Sequence, residues 1–197
     1  MEISAKQVKE LRDITGAGMM DCKRALQETG GDLEKAVDLL RSRGAAKAAK
    51  RESKSASEGT IGTYVHHSGK VGVMVQVNCE TDFVANTDDF QQLARDLAMH
   101  IAASGPISVS ADAIPEDEVA RERAVYEAQV AEEGKPENIR ERIVEGKLKK
   151  WFKDVALLEQ PFVKDPDQTV AELVTAVSAK TGEKIEVARF SRFTIGG

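Results

Sequence analysis

The hydrophobic period of the chain changes near residue 58, and that change constrains its fold more than any other feature. Between Ser4 and Leu40 apolar residues recur at helical spacing. From Gly59 to Val77 they are largely β-branched and fall into two runs of strand character. The segment between, Arg51-Glu52-Ser53-Lys54-Ser55-Ala56-Ser57-Glu58-Gly59, is polar and Ser-rich, which suits a linker or a fraying helix end. Charge changes at the same place. Residues 1–57 carry 12 Lys/Arg and 9 Asp/Glu, a net of +3, whereas the other 140 residues carry a net of −8. Two modules are therefore expected, residues 1–53 and residues 54–197.

The first module reads as three short helices. Ser4 can cap a helix that carries Val8, Leu11 and Ile14 along one side, and Thr15-Gly16-Ala17-Gly18 ends it. A second helix follows with Met19, Met20, Cys22, Ala25 and Leu26, ending at Thr29-Gly30-Gly31. Asp32 caps the third, with Leu33, Ala36, Val37, Leu39 and Leu40 as its apolar stripe. So short a bundle buries only a small core, which suits docking better than catalysis.

The second module reads as α+β, a small antiparallel sheet packed with helices. The runs 59–65 and 71–77 flank His66-His67-Ser68-Gly69-Lys70, a hairpin signature. Apolar residues at 90, 93, 94, 97, 98 and 101 predict an amphipathic helix. Pro115-Glu116-Asp117-Glu118 opens another. Residues 136–158 read as helix with a break at Gly146. Pro161 and Pro166 bound an irregular stretch before a helix at 168–181, and residues 186–195 alternate as a final strand.

Composition narrows the function classes. The overall charge of −5 argues against general nucleic-acid affinity while leaving local patches open. No apolar run approaches the roughly 20 residues of a membrane-spanning helix. Met1-Glu2-Ile3-Ser4 has neither the basic segment nor the apolar core of a signal peptide, so a cytoplasmic location is expected. Cys22 and Cys79 form no CxxC pair, which disfavours a disulfide scaffold and a zinc site. Gly69-Lys70 lacks the upstream glycine of a phosphate-binding loop, and Gly16-Ala17-Gly18 lacks the third glycine of a dinucleotide fingerprint. Neither a GxSxG elbow nor an HExxH pair occurs. His66 and His67 sit in a turn where joint metal ligation is awkward. His100 lies late in its helix and reads as a cap-end or partly buried imidazole. No cofactor, no metal and no chemical catalysis are expected.

Three features point instead to contacts with a partner. Asn78-Cys79-Glu80-Thr81-Asp82-Phe83-Val84-Ala85 follows a strand and precedes a helix, with turn chemistry at Thr81-Asp82. Phe83 either folds back on its own helix as a hydrophobic staple or stands out as an aromatic anchor; pattern alone leaves both open. Met19 and Met20 either fill the small core or form an adaptable surface, the core being the ordinary expectation. Arg41, Arg43, Lys47, Lys50, Arg51 and Lys54 form a basic run, whose bland reading is a solvated helix end and whose sharper one is RNA contact.

At these residues the chain resembles the bacterial elongation factor Ts family, guanine-nucleotide exchange factors for the GTPase elongation factor Tu. Thr15-Gly-Ala-Gly-Met-Met-Asp-Cys-Lys-Arg-Ala-Leu26 is similar to the family's first signature. Asn78-Cys-Glu-Thr-Asp-Phe-Val-Ala85 is similar to its second, and Glu145-Gly-Lys-Leu-Lys-Lys150 with Gln160-Pro-Phe-Val163 to a later block. The resemblance implies that residues 1–53 adopt a ubiquitin-associated-like fold and dock on the GTPase through Met19, Met20, Arg12 and Lys23. It implies that Thr81, Asp82, Phe83 and Val84 dislocate Mg²⁺ from the GTPase, with Phe83 as a wedge and Asp82 as its polar partner. His66 matches a further contact position. Longer members carry two copies of the core, whereas this chain has room for one, so it resembles the short form, whose members are expected to be homodimers. No membrane and no direct nucleic-acid partner are implied. Two rivals are a non-catalytic binding adaptor built on the three-helix module and a hydrolase using His66 or His67. Neither accounts for the second signature.

Overall fold

The structure is a computed structural model that describes residues 3–196. It is mixed α and β, with eight helices and five strands among the described residues. The chain divides into two compact units that do not follow linear order. Unit 1 comprises residues up to 61 together with 76–94 and 172–187, and unit 2 comprises 62–75, 95–171 and 188 onward.

Unit 1 contains helices α1 (Ala5–Thr15), α2 (Met19–Glu28) and α3 (Leu33–Ala49). The expected caps form. The Ser4 hydroxyl accepts from the Gln7 N–H and the Gln7 side chain reaches back to Ser4, a capping box. Asp32 accepts from the Lys35 N–H. The three helices bury Val8, Leu11, Cys22, Ala25, Leu26 and Ala36 as one small core, with Leu33, Val37, Leu39 and Leu40 packed against it. Ile14 does not join that core and is 58% exposed. It lies on the last turn of α1, two residues before the Gly16 that closes the helix. Gly44, buried in α3, lies so near α8 (Val170–Thr181) that a Cβ there would sit 2.9 Å from the Ala179 Cβ. Only a residue without a side chain permits that approach.

The hairpin appears as expected, with β1 (Glu58–Val65) and β2 (Val71–Cys79) joined through a turn in which the His66 N–H donates to the Val71 carbonyl. The third strand, β5 (Glu186–Thr194), lies beside β2, giving the order β1-β2-β5. The Ile195 N–H donates to the Lys70 carbonyl at one end of the pair, and Lys184 meets Glu80 at the other, so β5 runs antiparallel to β2. Val73, Val75, Val77 and Cys79 alternate inward along β2. Gly59 has φ 152°, and a Cβ on it would lie 2.1 Å from the Val77 carbonyl oxygen, so no other residue fits where β1 begins.

Between β2 and β5 run a single helical turn, α4 (Asp82–Ala85), and then α5 (Asp88–Ser104), which buries Phe90, Leu93, Ala94, Leu97, Ala98 and Ile101 as the periodicity predicts. In unit 2, α6 (Glu116–Glu132) and α7 (Glu137–Val155) form an antiparallel helical hairpin around Val130, Val144 and Leu148, with Tyr126, Ile143, Trp151 and Phe152 at its margins. Arg123 of α6 pairs with Glu141 and Glu145 of α7. The expected break at Gly146 does not occur. Gly146 sits on the exposed face while Val144 and Leu148 are buried, and that packing outweighs the cost of about 1 kcal/mol for a helical glycine.

The stretch between Pro161 and Pro166 is not irregular but a small ladder, β3 (Pro161–Phe162) against β4 (Asp165–Thr169). A two-stranded ladder leaves one edge of each strand unpaired, where proline's missing N–H costs nothing. This ladder is tied to α5 by His100, which is fully buried rather than partly so. The Val163 N–H can only donate, so His100 Nδ1 accepts it at 3.2 Å and the ring proton sits on Nε2, 2.9 Å from Gln160 Oε1. The Gln160 amide in turn donates to the Asp154 carbonyl.

Burial lowers the His100 pKa below 6.5, against a smaller opposing effect of the Gln160 bond. The folded chain therefore resists a proton that the unfolded chain accepts. Stability is expected to be level above about pH 6.5 and to fall as pH drops below it, a window in which carboxylates stay ionised. Urea unfolding between pH 7.5 and 5.5 measures this; a slope unchanged in His100→Gln would assign the loss elsewhere.

Candidate functional site

The three sequence features that suggest partner contact all lie in unit 1, and two of them present apolar side chains. The first is the end shared by α1 and α2. Gly16, at φ 65°, closes α1 in the left-handed conformation and its N–H donates to the Arg12 carbonyl. The Thr15 hydroxyl donates to the Leu11 carbonyl and accepts from the Ala17 N–H, and buried Cys22 lies under the turn with its thiol 3.6 Å from the Ala17 carbonyl. This places the first turn of α2 beside the last turn of α1. Met19 and Met20 are 45% and 65% exposed, so neither belongs to the core, contrary to the ordinary expectation for methionines beside a glycine turn. The core needs no filling there, because Cys22, Ala25 and Leu26 already occupy the inward positions of α2. Ile14 is exposed as well, and so are Arg12 and Lys23.

The second is the turn from β2 into α4. Thr81 caps α4, its hydroxyl accepting from the Val84 N–H at 3.4 Å. The Ala85 N–H returns to the Thr81 carbonyl, the Asn86 amide donates to the Asp82 carbonyl, and the Gln91 amide to the Ala85 carbonyl. Cys79, buried at the end of β2, points its thiol at the Thr81 carbonyl, 3.1 Å away. On this turn Asp82 is exposed, Val84 is half-buried, and Phe83 is 82% exposed. A hydrophobic staple would bury the ring, so the staple reading fails.

Two carboxylates hold this turn, and the sequence reading missed both. Glu183, on the turn between α8 and β5, accepts the Glu80 and Thr81 N–H groups on Oε2 at 3.1 and 3.0 Å, and the Thr81 hydroxyl on Oε1 at 2.7 Å. Glu80 reciprocates, accepting the Lys184 N–H at 2.7 Å and the Arg51 guanidinium at 2.7 and 2.9 Å. The Lys184 N–H, and then Arg51, hold the Glu80 carboxyl below its ordinary range. No local pattern relates residues 80 and 183; only the pairing of β2 with β5 brings them together.

The basic run is largely engaged within unit 1. Arg41 pairs with Glu172, Arg43 with Glu28, Lys47 with Asp21 and Arg51 with Glu80. That favours the bland reading over an RNA surface. His66, in unit 2, is half-buried at the hairpin turn and its Nδ1 accepts from the Ser68 N–H at 3.3 Å. Among the described residues no group of three or more His, Cys, Asp or Glu could hold a metal ion, and no helix is long and apolar enough to cross a membrane. What the geometry offers is two exposed apolar anchors on braced backbone, a design for binding a macromolecule.

The family model described as elongation factor TS matches residues 7–197. The chain is 53% identical over 196 residues to the elongation factor Ts of Syntrophobacter fumaroxidans, covering all of this chain and 98% of that one. It is 56% identical over 194 residues to that of Desulfosudis oleivorans, covering 98% of each. Against that of Geobacter sulfurreducens it is 52% identical over 196 residues, covering all of this chain and 91% of the relative.

Both cysteines are free and buried, and burial, with Glu183 nearby, raises the Cys79 thiol pKa. A thiol reagent at pH 8 is expected to react with neither cysteine in the native protein and with both in urea. Rapid native labelling of Cys79 would mean that the braced turn opens.

Proposed function

The chain belongs to the elongation factor Ts family, and on that ground we propose that it is a guanine-nucleotide exchange factor for the translational GTPase elongation factor Tu. It binds the GDP-bound GTPase, displaces Mg²⁺ and GDP, and stabilises the nucleotide-free state until GTP enters. It performs no chemical transformation of its own. Residues 1–53, in a ubiquitin-associated-like arrangement, dock on the GTPase through Met19, Met20, Arg12 and Lys23. Residues 54–197 supply the core and a homodimer contact, for which Val65, Met74 and Phe193 offer exposed apolar surface. Thr81, Asp82, Phe83 and Val84 act on the Mg²⁺ site, and His66 adds a minor contact.

The observation that carries this reading is an aromatic ring, 82% exposed, at the tip of a braced single helical turn. A GTPase holds nucleotide and Mg²⁺ through mutually supporting contacts, since the cation neutralises phosphate charge. A protein that prefers the nucleotide-free state must weaken nucleotide by the same factor, because coupling is reciprocal. Burying one phenylalanine contributes roughly 1.5–3 kcal/mol. At about 1.4 kcal/mol per decade, the wedge supplies one to two decades of exchange and the rest must come from other contacts. The exposed methionines suit that second role, being apolar and adaptable.

Release of labelled GDP from elongation factor Tu tests the proposal. Catalytic amounts of the protein are expected to accelerate it. Phe83→Ala should cut the maximal acceleration by roughly 10–100-fold while leaving the unfolding midpoint unchanged. Met19→Ala with Met20→Ala should instead raise the concentration needed for half-maximal effect. Unchanged exchange in Phe83→Ala would remove the wedge; no acceleration and no binding by the full chain would leave the adaptor.

A further inference from the structure

We infer that Glu183 is a positioning residue for Phe83, its carboxylate setting the direction of the ring through the Thr81 cap; this rests on the exchange-factor reading above. A ring that is 82% exposed has little packing to orient it, so its direction comes chiefly from the backbone that carries it. That backbone, Asp82–Ala85, is one helical turn, too short to hold its own conformation. Support has to come from outside, and the strongest tie is to Glu183. A carboxylate only accepts, so the Thr81 hydroxyl proton must point at Glu183 Oε1, 2.7 Å away. The hydroxyl oxygen is then left to accept the Val84 N–H, the bond that starts α4. Glu183 Oε2 meanwhile takes the N–H groups of residues 80 and 81, which follow the last residue of β2 and have no ladder partner. One side chain thus both polarises the cap and fixes the two peptides before it. Glu80 answers from the other side by accepting the Lys184 N–H, so the two turns hold each other.

Glu183 itself need not touch the partner, and its removal should act on the step that uses Phe83 rather than on docking. In the GDP-release assay with the full chain, Glu183→Ala is expected to lower the rate at saturating protein on the order of tenfold, as loss of charged hydrogen bonds would. The half-saturating concentration should change by less than about twofold. Glu183→Gln keeps the length and one acceptor, and its rate should fall between those of the wild type and Glu183→Ala. In a Phe83→Ala background, Glu183→Ala should add less than about twofold, because both remove the same contribution. Thermal unfolding of each variant sets an assay temperature well below every midpoint, and the near-isosteric Glu183→Gln serves if Glu183→Ala is too unstable. A wild-type rate in both Glu183 variants, an equal loss in both backgrounds, or a change confined to half-saturation would overturn the inference. Those results would leave the exchange reading intact, whereas a wild-type protein that fails to accelerate release would remove both.

Discussion

Unit 1 is assembled from three separate stretches of chain, and one cluster of hydrogen bonds joins all three. Arg51 comes from the first stretch, Glu80 and Thr81 from the second, Glu183 and Lys184 from the third. Each carboxylate accepts a backbone N–H from the other's turn, so neither turn can shift without leaving donors unpaired. Backbone N–H groups at the end of a strand have no ladder partner and must find an acceptor elsewhere. Here the need is met by glutamates instead of water, which converts a strand end into a fixed platform. Arg51 adds a partly exposed ion pair, a modest contribution by itself, but one that ties the segment following α3 to the same point.

That platform explains the kind of site this is. An enzyme centre gathers titratable groups in a cleft; this surface does the reverse, presenting Phe83 on braced backbone. A large apolar ring held in water is an unfavourable exposure, and on a braced mount little ordering entropy would be lost in any contact it made. The α1–α2 end follows the same logic with different chemistry. Its backbone is closed by Gly16 and buried Cys22, while Met19 and Met20, flexible and unbranched, are left outward. The two surfaces thus differ in stiffness, a ring on braced backbone at one and flexible thioethers at the other.

Much of the architecture was legible in the sequence. Ser4, Asp32 and Thr81 were readable as cap or turn residues, the β-branched runs gave the hairpin, and the 3.6-residue stripe from Phe90 to Ile101 gave α5. The misses have physical causes. Gly146 looked like a break because propensity is local, while the burial of Val144 and Leu148 that overrides it is not. The prolines at 161 and 166 looked irregular because the spare edge of a two-stranded ladder is invisible without the ladder. Ile14 fits a core stripe by spacing, yet it is left exposed at the last turn of α1, because spacing fixes a face and not what packs against it.

The sequence by itself determined which elements form, since caps, turns and hydrophobic periods act over a few residues, and its signature blocks determined the family. Only the tertiary structure decided which apolar residues stay outside. Phe83, Met19 and Met20 were each compatible with burial by composition and spacing; whether a side chain is covered depends on what the rest of the chain brings beside it. The same holds for Glu183, an ordinary acidic residue in sequence. It becomes the partner of Thr81 because β5 pairs with β2, and strand pairing between residues a hundred positions apart is a property of the whole fold.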